Sequence, residues 1–240
     1  NPHIVEPAGP IDPEVGVLGA WRADGALLGC IVNYTCHCTT FGGGVSADWV
    51  CYLEQSIQGV MGELATVVFL NGACGDVTQV NNRSLKVPEF GEVSSRFVGT
   101  RVGAESVKVL MAADKGELAP VTAKSQVLTF KRRIPSQARV EKCRHVVEEG
   151  LKTGNRDTEW TFAKEILILD HFAKAKPEVE VEVHALQIGA AVYLSNPAEF
   201  FCQLGLDIKA GSPFLFTYVV ELANGVVGYV CTEEALNPDG

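Results

Sequence analysis

The chain has 240 residues, of which 47% are hydrophobic and 20% charged, a composition typical of an ordinary soluble globular protein and not of a disordered one. Its formal net charge of −9 argues against a nucleic-acid partner, because phosphate backbones are bound by clustered lysines and arginines. The sequence has no apolar run of about 18 residues, so it predicts no transmembrane segment.

The first half of the chain alternates apolar runs with amphipathic stretches. An Asp-Gly turn between two apolar runs is typical of a β-hairpin, and apolar residues three or four positions apart indicate helices. The predicted elements are strands at 15–21 and 26–31 around the turn Asp24-Gly25, a helix from 46–48 to about 61 with Ser46 or Asp48 as N-cap, a strand at 65–70, and a helix from 93 to about 114.

The second half continues the alternation without a clean repeat of strand, helix and strand. Its predicted elements are a strand at 121–131, helices at 137–151 and 158–174, a hairpin of strands at 179–188 and 191–194, a helix opening at 195–199, and strands at 214–221 and 226–230 around the turn Asn224-Gly225. We therefore predict an α/β fold with a mixed sheet covered by helices, as a single domain over residues 1–240.

Three polar sites lie at predicted strand ends, where α/β sheets place their chemistry. His37 follows the second strand, and strand alternation would turn Cys36 and Cys38 away from the face that His37 occupies. The loop 71–78 can offer backbone N–H groups to a developing oxyanion. Glu199 has a structural explanation as well: with Asn196 as N-cap and Pro197 as the first helical residue, it falls at a capping position.

The eight cysteines form no C-x-x-C pair, and several lie in apolar runs, which favours free thiols in a reducing compartment such as the cytoplasm. Cys74 sits in a glycine-rich turn, where packing is the simplest role. A thiol nucleophile on that turn is an alternative, since nearby backbone N–H groups help a thiol to ionise.

Five ordered blocks together resemble the neutral/alkaline non-lysosomal ceramidase family, specifically its bacterial ceramidase-like members. The resemblance covers nearly the whole chain. The blocks are Asn33-Tyr34-Thr35-Cys36-His37-Cys38-Thr39, Ser46-Ala47-Asp48, Phe69-Leu70-Asn71-Gly72-Ala73-Cys74-Gly75-Asp76-Val77, Asn196-Pro197-Ala198-Glu199 and Asn224-Gly225-Val226-Val227-Gly228-Tyr229-Val230-Cys231-Thr232-Glu233-Glu234.

This resemblance implies a zinc amidohydrolase whose Zn²⁺ is held by His37, Glu199 and Tyr229, with a further His from a segment upstream of these blocks. It also implies that the chain is the middle to C-terminal part of a larger α/β catalytic domain. Asp76 and Thr78 match the family's catalytic block. Thr78 stands where that block has serine, and the following proline is replaced by Gln79, so a serine-type nucleophile is not expected.

The predicted function is therefore hydrolysis of an amide, or a related acyl bond, in a small-molecule or lipid substrate by a zinc-activated water. Two alternatives stay open: a non-catalytic binding domain with a degraded metal site, and a thiol hydrolase that uses Cys74. If the upstream segment supplies no ligand, His3 and His184 are the remaining candidates. Assembly into a homo-oligomer is also left open.

Overall fold

A computed structural model describes residues 6–41, 43–81 and 89–236. The predicted mixed α/β fold is confirmed. Its elements in chain order are β1 (Gly16–Trp21), β2 (Leu27–Tyr34), α1 (Val50–Met61), β3 (Thr66–Asn71), α2 (Glu92–Ala112), β4 (Val121–Lys131), α3 (Gln137–Thr153), α4 (Thr158–Ala175), β5 (Glu178–Ile188), β6 (Ala191–Ser195), β7 (Glu199–Phe200), α5 (Cys202–Gly211), β8 (Phe216–Val220), β9 (Tyr229–Val230) and a 3-10 helix, Glu234–Leu236.

The chain divides into two compact units. The first comprises Asn1–Gln126 and Glu182–Gly240, and the second comprises Val127–Val181. The chain passes from the first unit to the second within β4 and returns within β5. A single domain over residues 1–240 stays a prediction.

In the second unit, α3 and α4 form a helical hairpin. The Asp157 carboxylate accepts a hydrogen bond from the Trp160 N–H at 2.9 Å and so caps α4. The Trp160 indole N–H donates to the Val147 carbonyl at 3.2 Å. A Cβ at Gly150 would lie 2.2 Å from that indole ring, so the close approach of the two helices requires glycine there. This unit contains none of the predicted metal ligands.

The first unit is built on short sheets. In the sheet β1-β2-β3, β1 and β2 are antiparallel, while β2 and β3 are parallel and connected by α1. A second sheet has the order β4-β5-β6-β8, with β6 and β8 parallel. Asn33 links the two sheets, because its side-chain amide donates to the carbonyls of Leu70 in β3 and Val219 in β8, both at 2.9 Å. The carboxyl ends of β2, β3 and β8 are thereby held close together.

Helices α1 and α2 cover the first sheet. Trp49, which immediately precedes α1, and Leu53 and Ile57 within it are fully buried. A Cβ at Gly99 of α2 would lie 2.0 Å from the Trp49 carbonyl oxygen, so only glycine allows this spacing. No helix in the described ranges combines the length and the apolarity needed to cross a membrane.

Helix α1 begins later than predicted and without the predicted cap. Its first residue is Val50, and no side chain caps its N-terminus. Asp48 instead adopts a left-handed backbone with φ of 53°, and its buried carboxylate accepts backbone N–H groups from Thr40, Phe41 and Trp49. Asp48 therefore anchors the loop that follows His37.

Replacing Asp48 by alanine is expected to lower the free energy of unfolding by about 3 kcal/mol. The change leaves buried N–H donors unsatisfied and loses hydrogen bonds to a charged acceptor. Asp24 provides the matched control, because its carboxylate also accepts a backbone N–H, from Ala26, but at an exposed turn. Urea unfolding of the two variants measures the difference, and equal losses at both positions would contradict the anchoring role.

The predicted helix at Glu199 is wrong. Asn196 does use its side chain locally, accepting the Ala198 N–H at 2.9 Å. The chain then forms β7, with the Glu199 N–H bonded to the Gly228 carbonyl at 3.0 Å, and helix α5 begins only at Cys202. Pairing with a distant strand has overridden the local capping signal. The last strand, β9, pairs in parallel with β7 and so does not form a hairpin with β8.

Candidate metal centre

His37 lies three residues beyond the end of β2, in irregular backbone that is fixed on both sides. Its N–H donates to the Val77 carbonyl at 3.0 Å, and the Trp49 indole N–H donates to the His37 carbonyl at 3.0 Å. Strand alternation does not extend to this segment, because the strand has ended. Cys36 is consequently buried while Cys38 is exposed, contrary to the prediction that they share a face.

Glu199 and Tyr229 are brought together by the short parallel ladder of β7 and β9. They are directly paired in its register, as are Phe200 and Val230. Paired residues on parallel strands project to the same face. Both side chains therefore point to one side of this ladder, although 30 residues of sequence (229 − 199) separate them.

That side meets His37. The His37 Nε2 atom lies 3.1 Å from Glu199 Oε2 and 3.4 Å from the Tyr229 hydroxyl. The rings of His37 and Tyr229 are stacked, with centroids 6.4 Å apart and an interplanar angle of 23°. The structure thus brings together the three residues predicted as metal ligands, and their role as ligands stays a prediction.

The other ring nitrogen of His37, Nδ1, contacts Cys74, for which the sequence predicted a packing role. His37 Nδ1 lies 2.8 Å from Cys74 Sγ, and the Cys74 thiol donates to Glu221 Oε1 at 2.9 Å. The Cys74 N–H also donates to Glu221 Oε2 at 3.0 Å, and the Asn71 amide donates to Cys74 Sγ at 3.2 Å. Glu221 was not singled out from the sequence, where its only signal is a carboxylate at the end of an apolar strand.

The distances between possible ligand atoms distinguish the Nε2 side of His37 from its Nδ1 side as a metal site. Two N or O ligands of one tetrahedral zinc lie about 3.4 Å apart, and a sulfur and a nitrogen ligand about 3.5 Å. The distances on the Nε2 side, 3.1 and 3.4 Å, are closer to this spacing, and the shorter of them is also a hydrogen-bond distance. His37, Cys74 and Glu221 also form a compact group of metal-binding residue types, but their contacts of 2.8 and 2.9 Å are hydrogen-bond distances. The residues on the Nε2 face fit a zinc ion better.

Burial and neighbouring charge raise the pKa of several groups of the site. Burial raises the pKa of the Glu221 carboxyl to about 7. Burial, reinforced by the Glu221 charge, raises the pKa of the Cys74 thiol. Burial and the hydrogen bond with Glu199 raise the pKa of the Tyr229 phenol to about 12, so a cation would be needed to favour its phenolate.

The surroundings of Cys74 argue against a nucleophilic role. A reactive cysteine is partly exposed, in a positive environment that lowers the thiol pKa. Cys74 is 0% exposed, and its thiol points to a carboxylate. By contrast, Tyr229 is 60% exposed, so the Nε2 face of His37 opens to solvent beside it.

Gly75 connects the loop 71–78 to β7 at very close range. Its N–H donates to the Phe200 carbonyl at 2.7 Å, and a Cβ at this position would lie 2.6 Å from the Glu199 carbonyl oxygen. The loop beneath His37 and the strand that carries Glu199 therefore pack backbone against backbone. The position of Glu199 relative to His37 depends on this contact.

Asp76 and Thr78 are not hydrogen-bonded to the three convergent residues. The Asp76 carboxylate accepts the Cys202 N–H at 2.7 Å, which ties its loop to the first residue of α5. The Thr78 hydroxyl accepts the Val80 N–H at 3.2 Å, and the residue lines a groove together with Val77. Among the described residues, Asp76 thus stabilises the loop through its bond to Cys202. A direct catalytic role of Asp76 or Thr78 stays a prediction.

Replacing Asp76 by alanine is expected to cost about 1 kcal/mol of stability, the usual effect of losing a carboxylate at a helix N-terminus. Asp76→Asn keeps an oxygen that can accept the Cys202 N–H and should retain most of that stability. Thermal unfolding of both variants measures this. If the asparagine variant loses as much as the alanine variant, the hydrogen bond is not what Asp76 contributes.

Comparison with known proteins gives structural matches only. No protein-family model matches the chain. No curated protein matches it. Among solved structures, the chain is similar to the neutral ceramidase from Pseudomonas aeruginosa, with a TM-score of 0.65, 17% identity, and coverage of 92% of this chain and 41% of that chain. It is also similar to a ceramidase complexed with C2, with a TM-score of 0.63, 16% identity, and coverage of 97% and 44%.

The chain thus spans less than half the length of either solved structure that it matches. At 16–17% identity, the likeness concerns the fold. The resemblance read from the five sequence blocks is accordingly confirmed at that level: this chain has the fold of part of a neutral ceramidase.

Proposed function

We propose that the chain carries the metal centre of a zinc-dependent hydrolase that cleaves an amide or related acyl bond. The observation that carries this proposal is the convergence of His37, Glu199 and Tyr229, with Nε2 at 3.1 Å from the carboxylate and 3.4 Å from the phenol. A neutral imidazole that presents its Nε2 lone pair and an ionised carboxylate are both acceptors, and a bound cation would satisfy both.

The donor set suits zinc and leaves room for catalysis. Catalytic zinc sites use three protein ligands and keep one position open for water, and imidazole and carboxylate are common among those ligands. A bound Zn²⁺ would polarise the scissile carbonyl and lower the pKa of its water to about 7. A fourth protein ligand, the upstream His implied by the family resemblance, belongs to the same proposal and would tighten binding.

The residues of the chain have distinct tasks in this proposal. His37 and Glu199 supply lone pairs from fixed backbone, since each is tied by its own N–H to a neighbouring strand or loop. Tyr229 supplies the third ligand atom, on the solvent-exposed side of the site. We assign the substrate to the amides of lipids or small molecules, by analogy with the two ceramidase structures. The eight free thiols favour a reducing compartment, such as the cytoplasm.

The function is tested with zinc-loaded protein and a panel of N-acyl amides and esters of short and long acyl chains. We expect acyl release that a chelator abolishes and added Zn²⁺ restores. Exposed His145 on α3 gives the matched control, and His145→Ala should retain the activity that His37→Ala loses.

Two results would favour the alternatives. A protein that holds no zinc and cleaves nothing in the panel would be a binding domain with a degraded metal site. Activity that survives metal removal and is lost on thiol alkylation would support a nucleophilic Cys74.

A further inference from the structure

We propose that Cys74 is a positioning residue for His37: its sulfur, anchored by Glu221 and Asn71, holds Nδ1 and thereby presents Nε2 to Glu199 and Tyr229. Metal-binding histidines usually donate their second ring N–H to a carboxylate, a backbone carbonyl or water. Here that partner is a thiol, with the carboxylate placed behind it. The inference rests on the proposed metal centre.

The direction of the hydrogen bonds follows from the number of protons available. The N–H and the S–H of Cys74 both donate to the Glu221 carboxyl oxygens, at 3.0 and 2.9 Å. The single thiol proton is then committed to Glu221. The sulfur therefore accepts from His37 Nδ1, at 2.8 Å, and in the neutral imidazole this leaves the Nε2 lone pair free.

The anchor itself is rigid. Cys74 is 0% exposed and Glu221 is 3% exposed, at the end of β8. The Glu221 N–H donates to the Asn71 carbonyl at 3.1 Å, which closes a ring of contacts among Asn71, Cys74 and Glu221. A ligand histidine held from behind by such a buried group loses little conformational freedom when it binds a metal.

The first test measures zinc affinity by competition with a chromophoric chelator. Cys74→Ala should weaken binding about 10–100-fold, the usual cost of losing such a partner. Cys74→Ser should keep most of the affinity, because a hydroxyl can accept from His37 and donate to Glu221. Cys30→Ala removes another buried thiol, which lies in β2 within the core, and should bind as the unaltered chain does.

The second test needs no metal and so separates this inference from the proposed function. Nitrogen-resolved NMR of the metal-free chain should show a slowly exchanging Nδ1–H in the unaltered chain, in Cys74→Ser and in Cys30→Ala. Cys74→Ala, or Glu221→Ala should the first variant not fold, should lose it.

An Nδ1–H that is missing in the unaltered chain, or unchanged in these alanine variants, would overturn the positioning role, whatever the zinc data show. If the unaltered chain binds no zinc but shows the expected Nδ1–H pattern, the metal centre fails and the hold of Cys74 on His37 stands.

Discussion

His37→Ala is expected to lower the zinc affinity of the chain by more than about 100-fold. Losing a partner behind a ligand already costs about 10–100-fold, and His37 is the ligand that both other donors face. Its Nε2 lies 3.1 Å from Glu199 and 3.4 Å from Tyr229, so its removal leaves a carboxylate and a phenol with a raised pKa as the remaining pair.

Titration with zinc against a chelator measures this loss. His145→Ala is the control for removal of a histidine, and circular dichroism confirms that both variants are folded. Zinc binding by His37→Ala at the affinity of the unaltered chain would mean that the metal lies elsewhere.

Gly75→Ala is expected to weaken zinc binding about 10–100-fold, the usual cost of losing a contact that orients a metal ligand. The added Cβ would lie 2.6 Å from the Glu199 carbonyl oxygen and 3.0 Å from the Phe200 carbonyl, both of which are backbone. The strand β7 must therefore shift, and Glu199 shifts with it. Overpacking of this kind also costs about 1–3 kcal/mol of stability.

Gly116→Ala makes the same chemical change where a Cβ meets nothing within 4 Å, and it should affect neither property. Zinc affinity and urea unfolding are measured on both variants. If Gly75→Ala loses stability but keeps its zinc affinity, Glu199 does not depend on this backbone contact, and its placement at the site needs another explanation.

Local patterns predicted most of the fold. The Asp24-Gly25 hairpin, the helices α1 to α4 and the hairpin of β5 and β6 all appear, because each depends on periodicity or turn chemistry within a few residues. The observed ends of these elements differ from the predicted ones where tertiary contacts bind the terminal residues. Asp48, for instance, binds the loop after His37 and does not cap α1.

Glu199 shows why the site was harder to predict than the fold. The sequence Asn196-Pro197-Ala198-Glu199 contains the local signals of a helix start, yet β7 pairs with β9 about 30 residues later (229 − 199). A strand of two residues is too short to show an alternating pattern in the sequence. Its metal-binding assignment came from the family resemblance.

The contact between Cys74 and Glu221 could not be predicted from the sequence for a similar reason. They are 147 residues apart, and nothing in either local sequence indicates a partner. The apolar run before Glu221 predicts a strand, and the glycines around Cys74 predict a turn. Only their three-dimensional arrangement shows that both lie behind His37.

The position of the metal tests the account most directly. A crystal of the zinc-loaded protein, measured at the zinc absorption edge, should show one anomalous peak per chain at about 2.0–2.2 Å from His37 Nε2 and from the oxygens of Glu199 and Tyr229. A peak on the Nδ1 side, between Cys74 and Glu221, or no peak near His37 at all, would contradict it.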